Sequence, residues 1–261
     1  MIYICIPSFD EAPTIGLLLW KIRQTFLEFP REYQLLVAND GSTDQTGEVL
    51  EPYQKVLPLT VVTHESRQGY AATIEALLRI AVERTDRPKR DCAVIMHADF
   101  THDPDYLPEL VKRIEGGADL VVAQARMEGE PSRALRWVRR LAPWLLRGSA
   151  RIPGVRDVTS GFAAMRLITL RNAFRGHPGP LLSCGGWAAN AELYSRAALT
   201  ARRVDTIDVI ERRDRRERPT RHQPWPTARA LWQAGTTLRT SLRRPQAPPE
   251  ASRPEPAEAA R

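Results

Sequence analysis

Short apolar runs alternating with helix-period stretches through the first half of the chain constrain its fold more than any other feature. Runs at 2–7, 33–38, 59–64, 92–97 and 120–125 read as strands, dense in Ile, Leu and Val. Between them, apolar residues recur three and four apart at 12–29 (Ile15, Leu18, Leu19, Ile22, Phe26), 44–56, 71–84 and 105–115. Ser42 or Thr43 is the expected N-cap of the second helix. Repeated strand–helix–strand units predict an α/β fold, a Rossmann-like, mostly parallel sheet with helices on both faces. In such sheets ligands bind beyond the carboxyl ends of the strands. Those ends here carry Pro7-Ser8-Phe9-Asp10-Glu11, Asn39-Asp40-Gly41, His64-Glu65-Ser66-Arg67 and His97-Ala98-Asp99. Polar side chains thus gather where the topology expects a site.

At 261 residues and 43% hydrophobic, the chain can bury a sizeable core, which excludes disorder for most of it. Its apolar stretches fall far short of the ~20 residues a bilayer span needs. The first residues lack a basic flank and a cleavable apolar segment, so no secretion signal is expected. Cys5, Cys92 and Cys184 are widely spaced without a CxxC pattern. They read as buried thiols of a cytoplasmic protein, not as a disulfide frame or zinc site.

Charge is unevenly placed. Residues 200–244 hold twelve arginines against five acids, a surplus equal to the whole net charge of +7. A basic C-terminal third points to an anionic partner. Two stretches, 133–151 and 225–244, combine arginines with Trp137, Trp144, Trp225 and Trp232 at helical spacing, the first with Pro143 inside it. They read as amphipathic helices, either covering the sheet or meeting a membrane surface. Tryptophans at that spacing are not a base-stacking platform, so nucleic acid is not an expected partner. Residues 245–261 are Pro-, Ala- and Glu-rich and read as a disordered tail.

The sharpest local clue is His97-Ala98-Asp99. A carboxylate on the loop after a buried strand is well placed to hold Mg²⁺ or Mn²⁺, which take one or two protein oxygens plus substrate phosphates. The plainer reading is that Asp99, Thr101 and Asp103 only cap the next helix.

Together, the segments at 6–11, 37–44 and 96–104 resemble family-2 nucleotide-sugar glycosyltransferases of the GT-A fold. Asp157-Val158-Thr159-Ser160-Gly161, then Gly186-Trp187 with Glu192-Leu193, then Arg216-Glu217-Arg218-Pro219-Thr220, resemble blocks of the dolichol- or polyprenyl-phosphate sugar synthase branch. The resemblance covers roughly residues 2–222. It implies a catalytic domain over 1–222, split into a nucleotide-sugar half (1–125) and an acceptor half (126–222). The basic amphipathic helix of 223–244 follows, then the tail of 245–261.

By that resemblance, Pro7, Ser8, Phe9 and Glu11 line the nucleotide pocket, Asn39 and Asp40 reach base and ribose, and Arg67, Gly69 and Ala98 border the nucleotide. Asp99 holds the metal with His97 beside it. Arg126, Arg216 and Arg218 face phosphates, as the planar guanidinium suits. Asp157, Ser160 and Gly161 shape the acceptor side. Two positions depart from the family pattern, which has aspartate where Asn39 and His97 stand. An imidazole in that place implies a single-carboxylate metal site or a shift toward Mn²⁺.

The expected reaction is inverting transfer of a hexose from a GDP-mannose- or UDP-glucose-type donor to a polyprenyl phosphate. An alcohol acceptor needs a general base, whereas a phosphate monoester is already anionic. The stretch 186–193 lacks the Glu-Asp pair from which many relatives draw that base. Glu192 is the remaining candidate, either as base or as a structural partner of a nearby arginine. The other readings are a soluble or glycan hydroxyl acceptor, and a catalytically silent nucleotide-sugar-binding protein.

Overall fold

The structure is a computed structural model that describes residues 1–128, 133–146, 148, 150, 152–175, 177, 179–212 and 223–241. In chain order the strands are β1 (Ile2–Ser8), β2 (Tyr33–Asp40), β3 (Leu59–His64), β4 (Cys92–Ile95), β5 (Leu120–Glu128), β6 (Ala163–Arg166) and β7 (Val204–Arg212). The helices are α1 (Ala12–Glu28), α2 (Thr46–Val56), α3 (Tyr70–Arg84), α4 (Leu107–Glu115), α5 (Arg133–Leu145), α6 (Leu167–Arg175), α7 (Trp187–Thr200) and α8 (Pro224–Ser241).

All the strands share one sheet in the order β3-β2-β1-β4-β6-β5-β7. Every pairing is parallel except those of β6, which runs antiparallel to both β4 and β5. This is the α/β sheet the alternation predicts. The side-chain period of two divides each strand between two cores. Ile2, Ile4 and Ile6 face α1, α2 and α4, while Tyr3 and Cys5 face α3 and the second-half helices. A strand buried on both faces reads as a continuous apolar run, which is why β1 carries almost no polar residue before Ser8. Burying an Ile or Leu of this kind contributes about 1.5–3 kcal/mol. Pro7 is tolerated because pairing with β4 stops at Cys5, leaving no ladder for its absent N–H to interrupt on that side.

Three boundaries differ from expectation. The fourth strand ends at Ile95, because the backbone N–H of His97 turns toward His102 Nδ1 (3.4 Å). The second helix starts at Thr46, with Gln45 at the cap position, since Ser42 and Thr43 bond to the Asp10 segment instead. The fourth helix is preceded by a short 3-10 turn over Pro104–Tyr106, capped by the Asp103 carboxylate on the Asp105 N–H (3.1 Å).

The second half closes one face of the sheet. Leu170, Leu193, Tyr194 and Leu231 bury against it, and α8 crosses the end of α5. Gly235 makes that crossing possible, since a Cβ there would come within 2.8 Å of the Leu146 backbone. Both amphipathic segments are therefore helices, spanning 133–145 and 224–241. The expected tail, 245–261, lies outside the described residues.

Candidate active site

Going along the chain, β1, β2 and β3 step outward in one direction, after which β4 returns to the other side of β1. The carboxyl ends of β1 and β4 thus flank a topological switch point, where an open α/β sheet leaves a crevice. A cavity of about 360 Å³ occupies it. Pro7, Ser8, Phe9, Glu11, Asp40, Arg67, Gly69, His97, Ala98 and Asp99 line it, so ten of the sequence-derived residues meet in one place. Tyr70, Thr73, Gly185, Gly186, Trp187 and Asn190 complete the wall. Gly186 and Trp187 belong to a family-like block without an assigned role, and the other four were missed, although Tyr70 and Thr73 stand three apart on the first turn of the helix after Gly69.

Polar contacts hold the loops around this cavity. The Asp40 carboxylate accepts the backbone N–H groups of Gln68 and Gly69 (both 2.8 Å) and lies 2.9 Å from His64 Nδ1. Burial alone would raise its pKa. The hydrogen bonds from His64, Gln68, Gly69 and Thr73 outweigh that and hold it below its ordinary value. Asp40 thereby ties down the β3–α3 loop and carries Arg67 over the Phe9 ring, at 4.1 Å. On the other side, Asp10 takes the Thr43 N–H (2.8 Å), and Asp44 takes those of Ala12 and Thr46. Asp10 itself sits at φ +50, a left-handed conformation uncommon outside glycine.

Asp99 is 2% exposed and faces the cavity, with Oδ1 accepting the Thr101 hydroxyl (2.6 Å) and N–H (3.2 Å). Its neighbour Phe100 is the second non-glycine residue with positive φ, +59. Ser8 Oγ is also buried at the cavity and has no hydrogen-bond partner among the described residues. A buried, orphaned hydroxyl on a cavity wall is the kind of group a bound ligand satisfies. His97 presents its ring edge to Tyr70 (centroids 5.7 Å apart) and tilts against His102 (4.9 Å). Gly161 abuts its Nε2 so closely that a Cβ would overlap the ring. Burial, reinforced by the His97 ring, pushes His102 down to about 3, so it stands neutral.

Several expected residues are elsewhere. Asn39 points to the opposite face of the sheet, where its Oδ1 accepts the Ser42 N–H (3.2 Å) near Gly47 at the start of α2. Its side chain leaves β2 on the face opposite to that of Asp40, and of the two only Asp40 lines the cavity. Glu192 is fully buried and does not line the cavity. Its oxygens take the N–H groups of Ser183 (2.8 Å) and Cys184 (2.9 Å) and pair with Arg196 (2.8 Å), which corrects its candidacy as a base. Arg126 is exposed at the end of β5, away from the cavity wall. Asp157 pairs with Arg139 (2.6 Å), and the Ser160 carbonyl accepts the Tyr194 hydroxyl. Of the acceptor trio, Gly161 meets the cavity-lining His97 directly. Arg216 and Arg218 lie outside the described residues.

With the switch-point cavity in view, likeness to known proteins can be placed on the molecule. Residues 3–175 match the model of Glycosyl transferase family 2. The chain belongs to that family. Among curated relatives, the undecaprenyl-phosphate mannosyltransferase of Micrococcus luteus is 29% identical over 174 residues, covering 64% of this chain and 66% of that protein. The dolichol-phosphate mannosyltransferase of Pyrococcus furiosus is 23% identical over 168 residues, 62% of this chain and 45% of the relative. The chain thus spans under two thirds of either relative's length. A crystal structure of glucosyl-3-phosphoglycerate synthase from Mycobacterium tuberculosis in complex with Mn²⁺ and UDP-glucose shares the fold, with a TM-score of 0.63 and 19% identity. That match covers 92% of this chain and 79% of the other. This family member therefore has the glycosyltransferase architecture with its crevice at the expected edge.

The donor set suits a divalent ion held mainly by substrate phosphates, since one cavity-facing carboxylate, Asp99, is enough for Mg²⁺ or Mn²⁺ in that role. Among the described residues no cluster of three His, Cys, Asp or Glu side chains forms a closed metal cage.

Proposed function

We propose that the protein transfers a hexose from a nucleoside-diphosphate sugar to a polyprenyl phosphate, inverting the anomeric carbon. The observation that carries this reading is the switch-point cavity with Asp99 at its floor, in a chain whose relatives are named for polyprenyl-phosphate sugar transfer. The nucleotide lies along Pro7–Glu11, with the base against the Phe9–Arg67 pair. Asp99 holds Mn²⁺ or Mg²⁺, the ion that neutralises the departing diphosphate. A phosphate oxygen of the acceptor attacks the anomeric carbon from the face opposite the nucleotide. The new C–O bond forms as the bond to the β-phosphate breaks, and the electron pair leaves with the diphosphate. No proton needs removing from a phosphate monoester at neutral pH. That agrees with Glu192 being spent on Arg196 and the 183–184 backbone, and it disfavours an alcohol acceptor.

Because the acceptor lives in a membrane, we place the protein peripherally on the cytoplasmic face. No described helix is long and apolar enough to cross a bilayer. Instead Trp137 and Trp144 of α5 stand 60% and 73% exposed on one stripe with Leu141, flanked by the exposed Arg136 and Arg140. On α8, Trp225 is 86% exposed. Tryptophan beside arginine suits an anionic lipid interface. A Trp137→Ser, Trp144→Ser variant is expected to bind anionic vesicles about tenfold more weakly, a difference of about 1.4 kcal/mol, without loss of thermal stability. Wild type that remains in the supernatant when spun with such vesicles sinks the membrane placement.

The reaction is tested by nucleoside diphosphate release from GDP-mannose and UDP-glucose, offered separately with Mn²⁺ or Mg²⁺, with and without polyprenyl phosphate. Release that depends on the lipid phosphate and on one donor is the expected result. Release with a soluble or glycan hydroxyl acceptor alone overturns the acceptor assignment. No release with any acceptor makes the chain a nucleotide-sugar-binding protein without turnover.

A further inference from the structure

A second cavity of about 470 Å³ lies between the loop leading into α7 and the inner side of α8. It shares Gly185, Gly186 and Trp187 with the donor cavity, so the two are neighbours separated by one short segment. Its walls come largely from residues beyond the stretch that matches the family, and its chemistry is unlike that of its neighbour. Although the protein has 38 basic residues, no charged side chain lines this space among the described residues. Trp187, Ala188, Leu231, Ala230, Ala234 and Pro226 supply apolar surface, and the other described lining groups are glycine or neutral residues such as Gln223, Thr227 and Gln233. Among these described lining residues a phosphate or an acidic sugar finds no counter-charge, whereas an uncharged chain brings no charge that needs one.

The position of α8 indicates where such a chain comes from. At 100° per residue, Trp225, Arg229, Trp232 and Arg239 fall on one side of the helix, and the cavity-lining Ala230, Leu231 and Ala234 fall on the other. One helix thus presents tryptophan and arginine outward and walls a neutral cavity inward. From this continuity we infer that the space beneath α8 holds the isoprenoid segment next to the acceptor phosphate, leading it from the lipid surface past Trp187 to the donor cavity. The inference rests on the polyprenyl-phosphate reading above and adds to it the place where the hydrocarbon lies.

Ala230 is exposed to the cavity and not part of the buried core, so it can be enlarged without disturbing packing. In Ala230→Trp the KM for a long-chain polyprenyl phosphate is expected to rise at least tenfold, while the dissociation constant of the nucleotide sugar, measured by calorimetry, changes less than twofold. Ala230→Ser is expected to match wild type. Independently of turnover, a polyprenyl phosphate bearing a diazirine on its second isoprene unit is expected to crosslink within residues 226–237, and Ala230→Trp is expected to abolish that adduct. An unchanged acceptor KM in Ala230→Trp, or crosslinks confined to α5, overturns the inference while leaving polyprenyl phosphate as the acceptor. A glycan acceptor whose KM responds to Ala230→Trp, with no lipid adduct, overturns both. Wild type that forms the 226–237 adduct yet transfers no sugar to the lipid sinks the functional reading alone and upholds the cavity as an isoprenoid site.

Discussion

The two ends of this molecule solve opposite problems. Around the donor cavity, loops with little apolar content are held by side-chain acceptors on backbone N–H groups, with Asp40, Asp10 and Asp44 each spanning between segments. In the α5–α8 layer the order reverses, since large apolar side chains such as Trp144 and Trp225 stand in solvent. Polar recognition of a soluble donor requires preorganised groups, because flexible ones would lose on ordering what they gain on binding. Partition into an interface requires exposed aromatic surface on a rigid support.

One residue joins the two regions. Arg139 on α5 is buried between Asp157 and Glu211, 2.6 Å from the first, with its guanidinium 5.7 Å from the Trp187 ring. Burial disfavours its charge, but the two carboxylates more than offset that and keep it protonated. Removing it strands two acids in the interior, which costs about 3–5 kcal/mol. Arg139→Ala is therefore expected to lower Tm by about 10 °C, the largest effect anticipated here. Adding Asp157→Asn and Glu211→Gln to Arg139→Met should recover most of it. An Arg139→Ala protein as stable as wild type would mean that the two regions are held together by apolar packing alone.

Asp99→Asn is expected to separate the regions functionally. It should reduce kcat/KM for transfer about 10²–10³-fold, about 3–4 kcal/mol of transition-state stabilisation, with vesicle binding unchanged. Because the amide still accepts from Thr101, Tm should move little. Turnover within threefold of wild type removes Asp99 from the metal role.

How much of this could be read from the chain differs between the regions for physical reasons. The first five strands and the segments at their ends follow from local periodicity, and nine residues of those end segments line the cavity. Asn39 lies off the cavity because its side chain leaves β2 on the face opposite to that of Asp40 and accepts the Ser42 N–H. β6 is four residues of Ala163–Arg166, too short for any periodic signal, and β7 alternates charge with Ile and Val in a stretch that reads as an arginine cluster. The Arg139 pairings join residues 18 and 72 apart, beyond the reach of any local pattern. Trp187 and Asn190 reach the site only because β6 reverses direction and brings α7 over the cavity.

The His97–Gly161 contact sharpens the donor side further. A methyl at 161 has no room against the imidazole, so Gly161→Ala is expected to cost about 1–3 kcal/mol, the usual range for overpacking. In a His97→Ala background the same change should cost under half as much, a coupling that a double-mutant cycle reads directly. Equal costs in both backgrounds would show that Gly161 is needed for its backbone rather than for the space it leaves.

Asp40 offers the smallest and most selective test, because it titrates only the tie on the β3–α3 loop. Its folded pKa lies below the ordinary 3.8, so its contribution to stability is fully present above that value and drains away as pH falls through the lower, folded one. In Asp40→Asn the amide oxygen can still accept from Gln68 or Gly69 but carries no charge for His64. The variant should lose a little stability at neutral pH and show a shallower decline than wild type as pH falls below the ordinary carboxylate value, as followed by thermal unfolding. Local hydrogen exchange at Gln68 and Gly69 should rise, and exchange in α5 and α8 should stay as it was. Faster exchange in α8 as well would mean that the donor edge and the lipid-facing layer open as one unit, and that the contrast between them is one of surface chemistry and not of independent stability.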